Sequence, residues 1–158
     1  MAVDRPQIQL SLLDRLIDNE PGVSRDPLNM RNPDFNQVKA MVARDIEKLL
    51  NTKGTVSPPP QALKEVTNSL YTYGLMDFTS SNPKSQATRQ KLRIEIEQTI
   101  ARFEPRLKNV NVRVEPPSPH ERNLKFKIAG LLVLDPVTEP VAFDTLFDIG
   151  RGEYAIPK

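Results

Sequence analysis

The chain has 158 residues, a length that suits one ordinary domain with a single apolar core and is short for two. Its formal net charge of +2 gives no general electrostatic reason to expect nucleic acid or an acidic membrane surface as a partner. Because the chain contains no cysteine, disulfides and thiolate metal sites are excluded.

The N-terminal residues predict a short docked helix rather than an export signal. The segment Met1–Pro6 contains no apolar run of the signal-peptide type. Leucines and isoleucines between Leu10 and Ile17 form an apolar stripe that is too short for a helix to be stable alone. The longest later apolar run, Ile128–Leu134, is too short to span a bilayer. We therefore predict a cytoplasmic protein whose first helix docks on something.

A strong amphipathic helix follows this arm. Asn32 can cap it, Pro33 suits the first helical position, and apolar residues then recur every three or four positions until about Asn51. We predict an N-terminal arm with a short helix over residues 1–31, followed by a single domain over residues 32–158.

Two further helices are predicted before the chain changes character. The shorter one runs from about Pro60 to Leu70, and an irregular turn follows it. Asn82–Pro83 then repeats the helix-start signal for a second long amphipathic helix. Pro105 ends that helix, because a proline ring cannot continue the hydrogen-bond ladder.

Beyond Pro105 the apolar period changes to the alternation typical of strands. Strands are predicted at Val110–Val114, Leu124–Leu134 and Val141–Ile149. The short turn at Asp135–Pro136 requires the last two strands to be antiparallel. Helices first and strands afterwards predict an α+β fold, in which N-terminal helices pack on a small, mainly antiparallel C-terminal sheet.

The chain carries no pattern typical of catalysis, metal binding or cofactor binding. His120, the only histidine, has no partner at a ligand spacing, and there is no phosphate-binding glycine loop. Asp144 and Asp148 share one face of a predicted strand at roughly 13 Å, on a rise of about 3.3 Å per residue. Glycoside hydrolysis requires roughly 5–9.5 Å between its two carboxyl groups. We therefore predict no catalytic residues, no metal and no cofactor.

The most informative stretch lies where the last helix gives way to the sheet. Glu104, Pro105 and Arg106 place an acid, a proline and a base between the apolar residues Phe103 and Leu107. Pro105 fixes its own φ and disfavours the helical region for Glu104. The two charges therefore lie in a stiff turn, where they either pair internally or contact a partner. The sequence leaves both arrangements open.

Phe103-Glu104-Pro105-Arg106-Leu107 resembles the Glu-Pro-Arg motif of the TssE family of type VI secretion systems, which is related to the small wedge subunit of contractile phage-tail baseplates. Further stretches resemble the family in the same order: Ser11–Leu16, Asp45–Thr52, Tyr73–Phe78 and Phe143–Thr145. The resemblance extends from Ser11 to about Tyr154. Met76 and Lys53 depart from the proline and arginine common in the family, and both lie outside the Glu-Pro-Arg stretch.

The resemblance implies a structural subunit of a baseplate wedge with the fold of the core domain of contractile sheath subunits. It implies a cytoplasmic location, in a complex docked at the inner membrane, and a role in starting sheath polymerisation. The implied partners are the baseplate proteins TssF, TssG and TssK and the sheath proteins TssB and TssC, with the spike hub as a further candidate. Neither nucleic acid nor direct membrane insertion is expected.

Two partner-binding sites follow from this resemblance as hypotheses. Glu104, Pro105 and Arg106 would form a polar contact with wedge proteins. A sheet edge at Val141–Ile149, which contains Phe143 and Asp144, would accept a strand from the first sheath ring. An edge strand can do so because its outer N–H and C=O groups are unpaired.

Two other functions stay open. One is a peptidoglycan hydrolase of the lysozyme type, a label that members of the family sometimes carry, although the carboxylate spacing gives it no support. The other is an adaptor domain with an unrelated partner.

Overall fold

A computed structural model of the chain describes residues 12–17, 22, 34–57, 59–60, 62–78, 82, 85–115, 123–134 and 137–157. Its helices are α1 (Leu12–Leu16), α2 (Phe35–Asn51), α3 (Lys64–Thr67) and α4 (Gln86–Phe103), with a 3₁₀ turn at Leu70–Thr72. Its strands are β1 (Leu107–Val114), β2 (Leu124–Leu134), β3 (Val137–Asp148) and β4 (Glu153–Ala155). The predicted α+β fold, with helices preceding an antiparallel sheet, is confirmed.

The two long helices begin later than the Asn-Pro signals predicted. The Asp34 carboxylate accepts a hydrogen bond from the Gln37 N–H at 2.7 Å, and the Gln37 side chain accepts one from the Asp34 N–H at 3.1 Å. This capping box satisfies two N-terminal donors and makes Asp34 the cap of α2, so the prediction of Asn32 was wrong. Likewise α4 begins at Gln86, after Ser85. Asn32, Pro33 and Pro83 lie outside the described residues, as do His120 and Asp135–Pro136.

The segment between α2 and α4 contains less helix than predicted. In place of one helix from Pro60 to Leu70 the chain forms α3 and the 3₁₀ turn, and it then returns to the end of α2. The Leu75 N–H donates to the Thr52 carbonyl at 2.9 Å, and the Gly54 N–H donates to the Leu75 carbonyl at 2.7 Å. Gly74 has a φ of +106°, and a Cβ atom there would lie 2.4 Å from the Thr52 oxygen. Only glycine fits this close crossing.

The sheet has the strand order β1-β2-β3-β4, and every neighbouring pair is antiparallel. β2 has the predicted bounds, whereas β3 begins earlier than predicted because the hairpin pairs back to Val137 opposite Leu134. β1 also begins earlier, through a bulge in which Asn109 has a φ of +53°. β4 was not predicted, because three residues are too few to show an alternation.

One face of this sheet packs against the apolar faces of α2 and α4. The fully buried side chains include Ile46 from α2, Ile96 and Ile100 from α4, and Phe126 and Ile128 from β2. Their burial supplies the main favourable contribution to folding, at about 25 cal/mol per Å² of apolar surface removed from water.

Side chains of the two long helices also cover two edges of the sheet. Asn51 binds the backbone of Tyr154 on both sides, because its Nδ2 donates to the carbonyl at 2.8 Å and its Oδ1 accepts from the N–H at 2.8 Å. Glu47 accepts from the Ile156 N–H at 3.4 Å. At the opposite edge, Glu97 accepts from the Val112 N–H at 2.8 Å. Backbone groups that would otherwise be unpaired are thus satisfied on β4 and β1.

The Asn51 contact predicts a stability effect. Asn51→Ala leaves the N–H and C=O of Tyr154 without their protein partners, and we expect the free energy of unfolding to fall by about 1–2 kcal/mol. Urea denaturation followed by circular dichroism measures this change. The exposed Asn68 provides a matched control, since Asn68→Ala should change stability by less than about 0.5 kcal/mol. Equal effects of the two substitutions would contradict an edge-capping role for Asn51.

Candidate functional site

The turn after α4 has the conformation that its proline dictates. Glu104 is the C-cap of α4, with φ −117° and ψ 82°, outside the helical region as Pro105 requires. Its N–H still donates to the Ile100 carbonyl at 2.8 Å, and its carbonyl accepts from the Leu107 N–H at 3.1 Å. The turn is therefore fixed on both sides, by the last turn of α4 and by the first residue of β1.

Glu104 and Arg106 pair with each other. Arg106 Nε donates to Glu104 Oε1 at 2.7 Å, and Arg106 Nη2 donates to Glu104 Oε2 at 2.7 Å. This is a bidentate arrangement, the strongest form of guanidinium–carboxylate contact. Glu104 is only 5% exposed, and a buried carboxylate is costly unless a cation pairs with it, as Arg106 does here. Of the two arrangements that the sequence left open, the internal pair is formed, and contact of these residues with a partner stays a prediction.

The ion pair continues into the helices. Arg106 Nη2 also donates to Asp45 Oδ2 at 2.7 Å, and the other oxygen of Asp45 accepts from Arg44 Nη2 at 2.9 Å. Arg44 Nη2 donates in turn to Asp14 Oδ1 in α1. We call these five residues, in the order Asp14, Arg44, Asp45, Arg106 and Glu104, the charge chain. It links α1, α2 and the turn after α4.

Sequence reasoning missed the charge chain as a unit. Asp14 and Asp45 lie within stretches that resemble the TssE family, but nothing in the periodicity of the sequence places Asp45 beside Arg106, 61 residues away. The available signal was weaker: adjacent opposite charges at Arg44–Asp45 on a helix that otherwise buries an apolar face.

The electrostatics of the charge chain favour permanent cations. Hydrogen bonds to Glu104, and then to Asp45, raise the pKa of Arg106 against the opposing effect of burial. Hydrogen bonds to Asp14 and Asp45 raise the pKa of Arg44 in the same way. Both guanidinium groups therefore stay protonated at any physiological pH, and neither arginine passes a proton along the charge chain.

The Nη1 group of Arg106 makes no hydrogen bond to a described residue. Its Nε and Nη2 atoms are used internally, but no described residue accepts a hydrogen bond from its Nη1 atom. The side chain is 24% exposed, and the neighbouring Pro105 lies at the surface. Because a guanidinium carries donors at Nη1 as well, the group can bind one further carboxylate or carbonyl from outside.

Phe143 and Asp144, the other two predicted site residues, lie on opposite faces of β3. Phe143 belongs to the buried core, and Lys39 Nζ of α2 lies 5.9 Å from the centre of its ring. Asp144 faces solvent, with Lys127 Nζ 4.0 Å from its carboxylate. Among the described residues no hydrogen bond or ion pair joins Asp144 to the charge chain. The two predicted sites are therefore separate.

Among the described residues, the outer edge of β3 has no strand partner along most of its length. β4 pairs only with Leu146–Asp148, so the remainder, Val137–Thr145, pairs with β2 alone. Within the predicted edge Val141–Ile149, Leu146–Asp148 already pairs with β4, and contact of the remaining residues with a sheath strand stays a prediction.

The ladder bonds show which groups of β3 point outward. Val133 donates its N–H to Arg106, and Lys125 accepts from Glu115, so these odd-numbered residues of β2 face β1. Even-numbered residues of β2 then face β3, where their partners are odd-numbered. The even-numbered residues of β3 therefore point to the open edge: Thr138, Pro140, Ala142 and Asp144. Pro140 has no N–H, so the donors at this edge are those of the other three residues.

Comparison with known families places these features in context. A family model described as baseplate wedge protein gp25 matches residues 36–137, more than half of the chain. The match includes almost all of α2, all of α4, β1 and β2, and the turn Glu104–Arg106, while α1 and most of β3 lie outside it. A search of the curated proteins found no match to this chain.

Removing the Arg106 side chain should destabilise the fold. Arg106→Ala strands the buried carboxylate of Glu104 and takes one cation from Asp45, and we expect unfolding to become easier by about 3–5 kcal/mol. Lys53→Ala breaks an ion pair with Asp77 that is 3.1 Å long but exposed, and should cost about 0–1 kcal/mol. Chemical denaturation of both variants measures the difference. A loss below about 1 kcal/mol for Arg106→Ala would show that the pair contributes little to the fold.

Proposed function

The chain belongs to the family of baseplate wedge protein gp25, and on that premise we propose that it is a wedge subunit of a type VI secretion baseplate. Its family role is that of a structural component of a phage-tail-like baseplate, and the proposal adds the kind of machine. The resemblance of five stretches to the TssE family supports this choice. We further propose that the subunit links the baseplate to the contractile sheath and starts sheath polymerisation.

The observation that carries the sheath proposal is the open edge of β3. Helix side chains bind the backbone of Val112 in β1 and of Tyr154 in β4, whereas the outward donors of Thr138, Ala142 and Asp144 have no strand partner in the described part of the chain. An exposed edge of this kind accepts an extended segment by β-augmentation. We propose that a strand of the sheath proteins TssB or TssC binds there, which agrees with the sheath-like fold that the TssE resemblance implies.

The wedge proposal rests on the outward part of the Glu104–Arg106 turn. The Nη1 donors of Arg106 and the exposed ring of Pro105 form a stiff, charged surface, held in place from inside by Glu104 and Asp45. A carboxylate of TssF, TssG or TssK would gain a charge-assisted hydrogen bond to a group that is already oriented. The spike hub is a further candidate partner.

A structural role also agrees with how the acidic residues are used. Glu104 and Asp45 are bound by arginines, and Asp148 Oδ1 accepts from the N–H groups of Gly150 and Arg151 in the turn before β4. Glu104 and Asp45 are neighbours, but both accept from Arg106 Nη2, so an arginine lies between them where an acid and base pair for hydrolysis needs a substrate. We therefore propose that the chain is not an enzyme, and no observation favours the hydrolase alternative.

The proposed location is the cytoplasm, in a complex docked at the inner membrane. Among the described residues, none of the helices has the length and apolar character needed to cross a membrane. We also propose that residues 1–31 form an arm distinct from a domain over residues 32–158, with α1 in the arm.

Purification of the tagged chain from a host that expresses the machine tests this function. We expect TssB and TssC to be recovered with it, together with TssF, TssG and TssK. Ala142→Pro removes an outward donor and places a ring where the added strand would lie, while the bonds from β3 to β2 are kept. It should lower recovery of the sheath proteins at least about tenfold, equivalent to about 1.4 kcal/mol, and spare the wedge proteins.

Pro140→Ala provides the matched control at the same edge. It restores an N–H in place of a natural gap, so sheath recovery should not fall. Recovery of neither sheath nor wedge proteins with the unmodified chain would overturn the proposed function. Recovery of the wedge proteins with an unaltered sheath signal in a folded Ala142→Pro variant would overturn only the edge assignment.

A further inference from the structure

The stretch of β3 that lacks a second strand neighbour presents an anion on the outer face of the sheet. Side chains alternate between the two faces of a strand, and Val141 and Phe143 are buried on the face that the helices cover, so Asp144 lies on the opposite face. The Asp144 side chain is 78% exposed, and its one described cation, Lys127 on β2, lies 4.0 Å away. A carboxylate has two acceptor oxygens, so Asp144 can bind a second cation from the open edge.

A cation lies beside the same stretch of β3 on the other face. The Nζ atom of Lys39 in α2 lies 5.9 Å from the centre of the Phe143 ring, and Lys39 is half-buried. Among the described residues no carboxylate forms an ion pair with Lys39. An ammonium group has three donors, and the aromatic ring does not replace a carboxylate as their partner. Lys39 can therefore bind an anion that lies next to Phe143.

Apolar contacts do not determine which face of an added strand turns towards the helices. Val141 and Phe143 face the core, but Pro140 and Ala142 make the outer face apolar too, and Pro140 lies opposite Leu131 of β2. An apolar side chain of an incoming strand would thus find an apolar neighbour on either face. Backbone hydrogen bonds contribute affinity to strand addition but carry no sequence preference. Charge is the property that differs most clearly between the two faces.

A strand added at this edge would bring its side chains close to both charges. Side chains directly opposite each other on neighbouring strands have Cβ atoms about 4.5–5.5 Å apart. The residue opposite Asp144 would lie on the outer face, and the residue opposite Phe143 would lie on the helix-covered face, within reach of Lys39. These two residues are consecutive in the added strand, because Phe143 and Asp144 are consecutive in β3.

We propose that the β3 edge selects a strand with a basic residue opposite Asp144 and an acidic residue opposite Phe143, where it pairs with Lys39. A slip of one residue moves every side chain to the other face. The slipped strand would place its acid opposite Asp144 or its base beside Lys39, and like charges in such positions are destabilising. The two charges therefore fix the register. This inference rests on the proposed function, which supplies the strand from a sheath protein, and it adds the chemistry that this strand carries.

Charge reversal on each face tests the proposal. The tagged chain is purified from its host, and mass spectrometry quantifies the ratio of recovered sheath proteins to recovered wedge proteins. The wedge proteins serve as the internal standard, because their proposed contact is the separate Glu104–Arg106 turn. Asp144→Lys and Lys39→Glu each oppose a like charge to the incoming strand. We expect each substitution to lower the ratio about fivefold, equivalent to about 1 kcal/mol.

The two reversals separate local pairing from the effect of net charge. Asp144→Lys raises the net charge of the chain and Lys39→Glu lowers it, so long-range attraction or repulsion would move the ratio in opposite directions. Local pairing lowers the ratio in both variants. Glu115→Lys is the matched control. It makes the same change of charge as Asp144→Lys at an exposed residue next to the end of β1, at the other edge of the sheet, and should leave the ratio unchanged.

The proposal requires a loss in both folded variants. An unchanged ratio in either variant overturns it, as do changes in opposite directions or an equal loss in Glu115→Lys. If Ala142→Pro lowers the ratio and the charge reversals do not, the sheath contact at this edge stands and only the charge selection is lost. Absence of sheath proteins from the purification of the unmodified chain overturns both. Should Lys39→Glu fail to fold, Lys39→Gln replaces it with an expected loss of about twofold, and no loss overturns the proposal.

Discussion

The buried ion pair between Glu104 and Arg106 is the contact on which the arrangement of helices and sheet depends. Glu104 ends α4, and the Arg106 carbonyl accepts from the Val133 N–H in β2, so the pair lies where helix becomes sheet. Through Asp45, the same guanidinium also fixes α2. A carboxylate that is 5% exposed is costly to bury unless a cation pairs with it, and Arg106 supplies that cation. The contacts that compensate the buried charge of Glu104 are therefore the same contacts that set the relative positions of α2, α4 and β1.

Besides burying the core, the two long helices provide side chains that bind backbone groups at the sheet edges. Asn51 and Glu47 of α2 satisfy backbone groups of the C-terminal segment, and Glu97 of α4 satisfies one in β1. A four-stranded open sheet has two outer edges and, because β4 is short, a third exposed stretch along β3. Helix side chains bind single residues at two of these places, Val112 in β1 and Tyr154 in β4, whereas the β3 stretch up to Thr145 has no second strand neighbour among the described residues.

Apolar periodicity in the sequence predicted the structural features that depend on contacts of neighbouring residues. The alternation in β2 predicted both of its ends, because one side of that strand is buried along its whole length. The predicted start of α2 was two residues too early. Asn32 and Asp34 can both cap a helix, and the reciprocal hydrogen bonds between Asp34 and Gln37 make Asp34 the cap. Asp45 was missed for another reason: its contact with Arg106 spans 61 residues, and no periodicity encodes a contact between elements.

The sequence left a choice between an internal pair and a contact with a partner at Glu104 and Arg106. The geometry removes the need to choose, because a planar guanidinium can do both at once. Three of its donor contacts face inward, to both oxygens of Glu104 and one of Asp45, and they fix its orientation. Nη1, from which no described residue accepts a hydrogen bond, therefore belongs to a group that has already lost its rotational freedom. A ligand bound at Nη1 would lose little further ordering entropy, so the internal pair would favour the proposed contact with a partner.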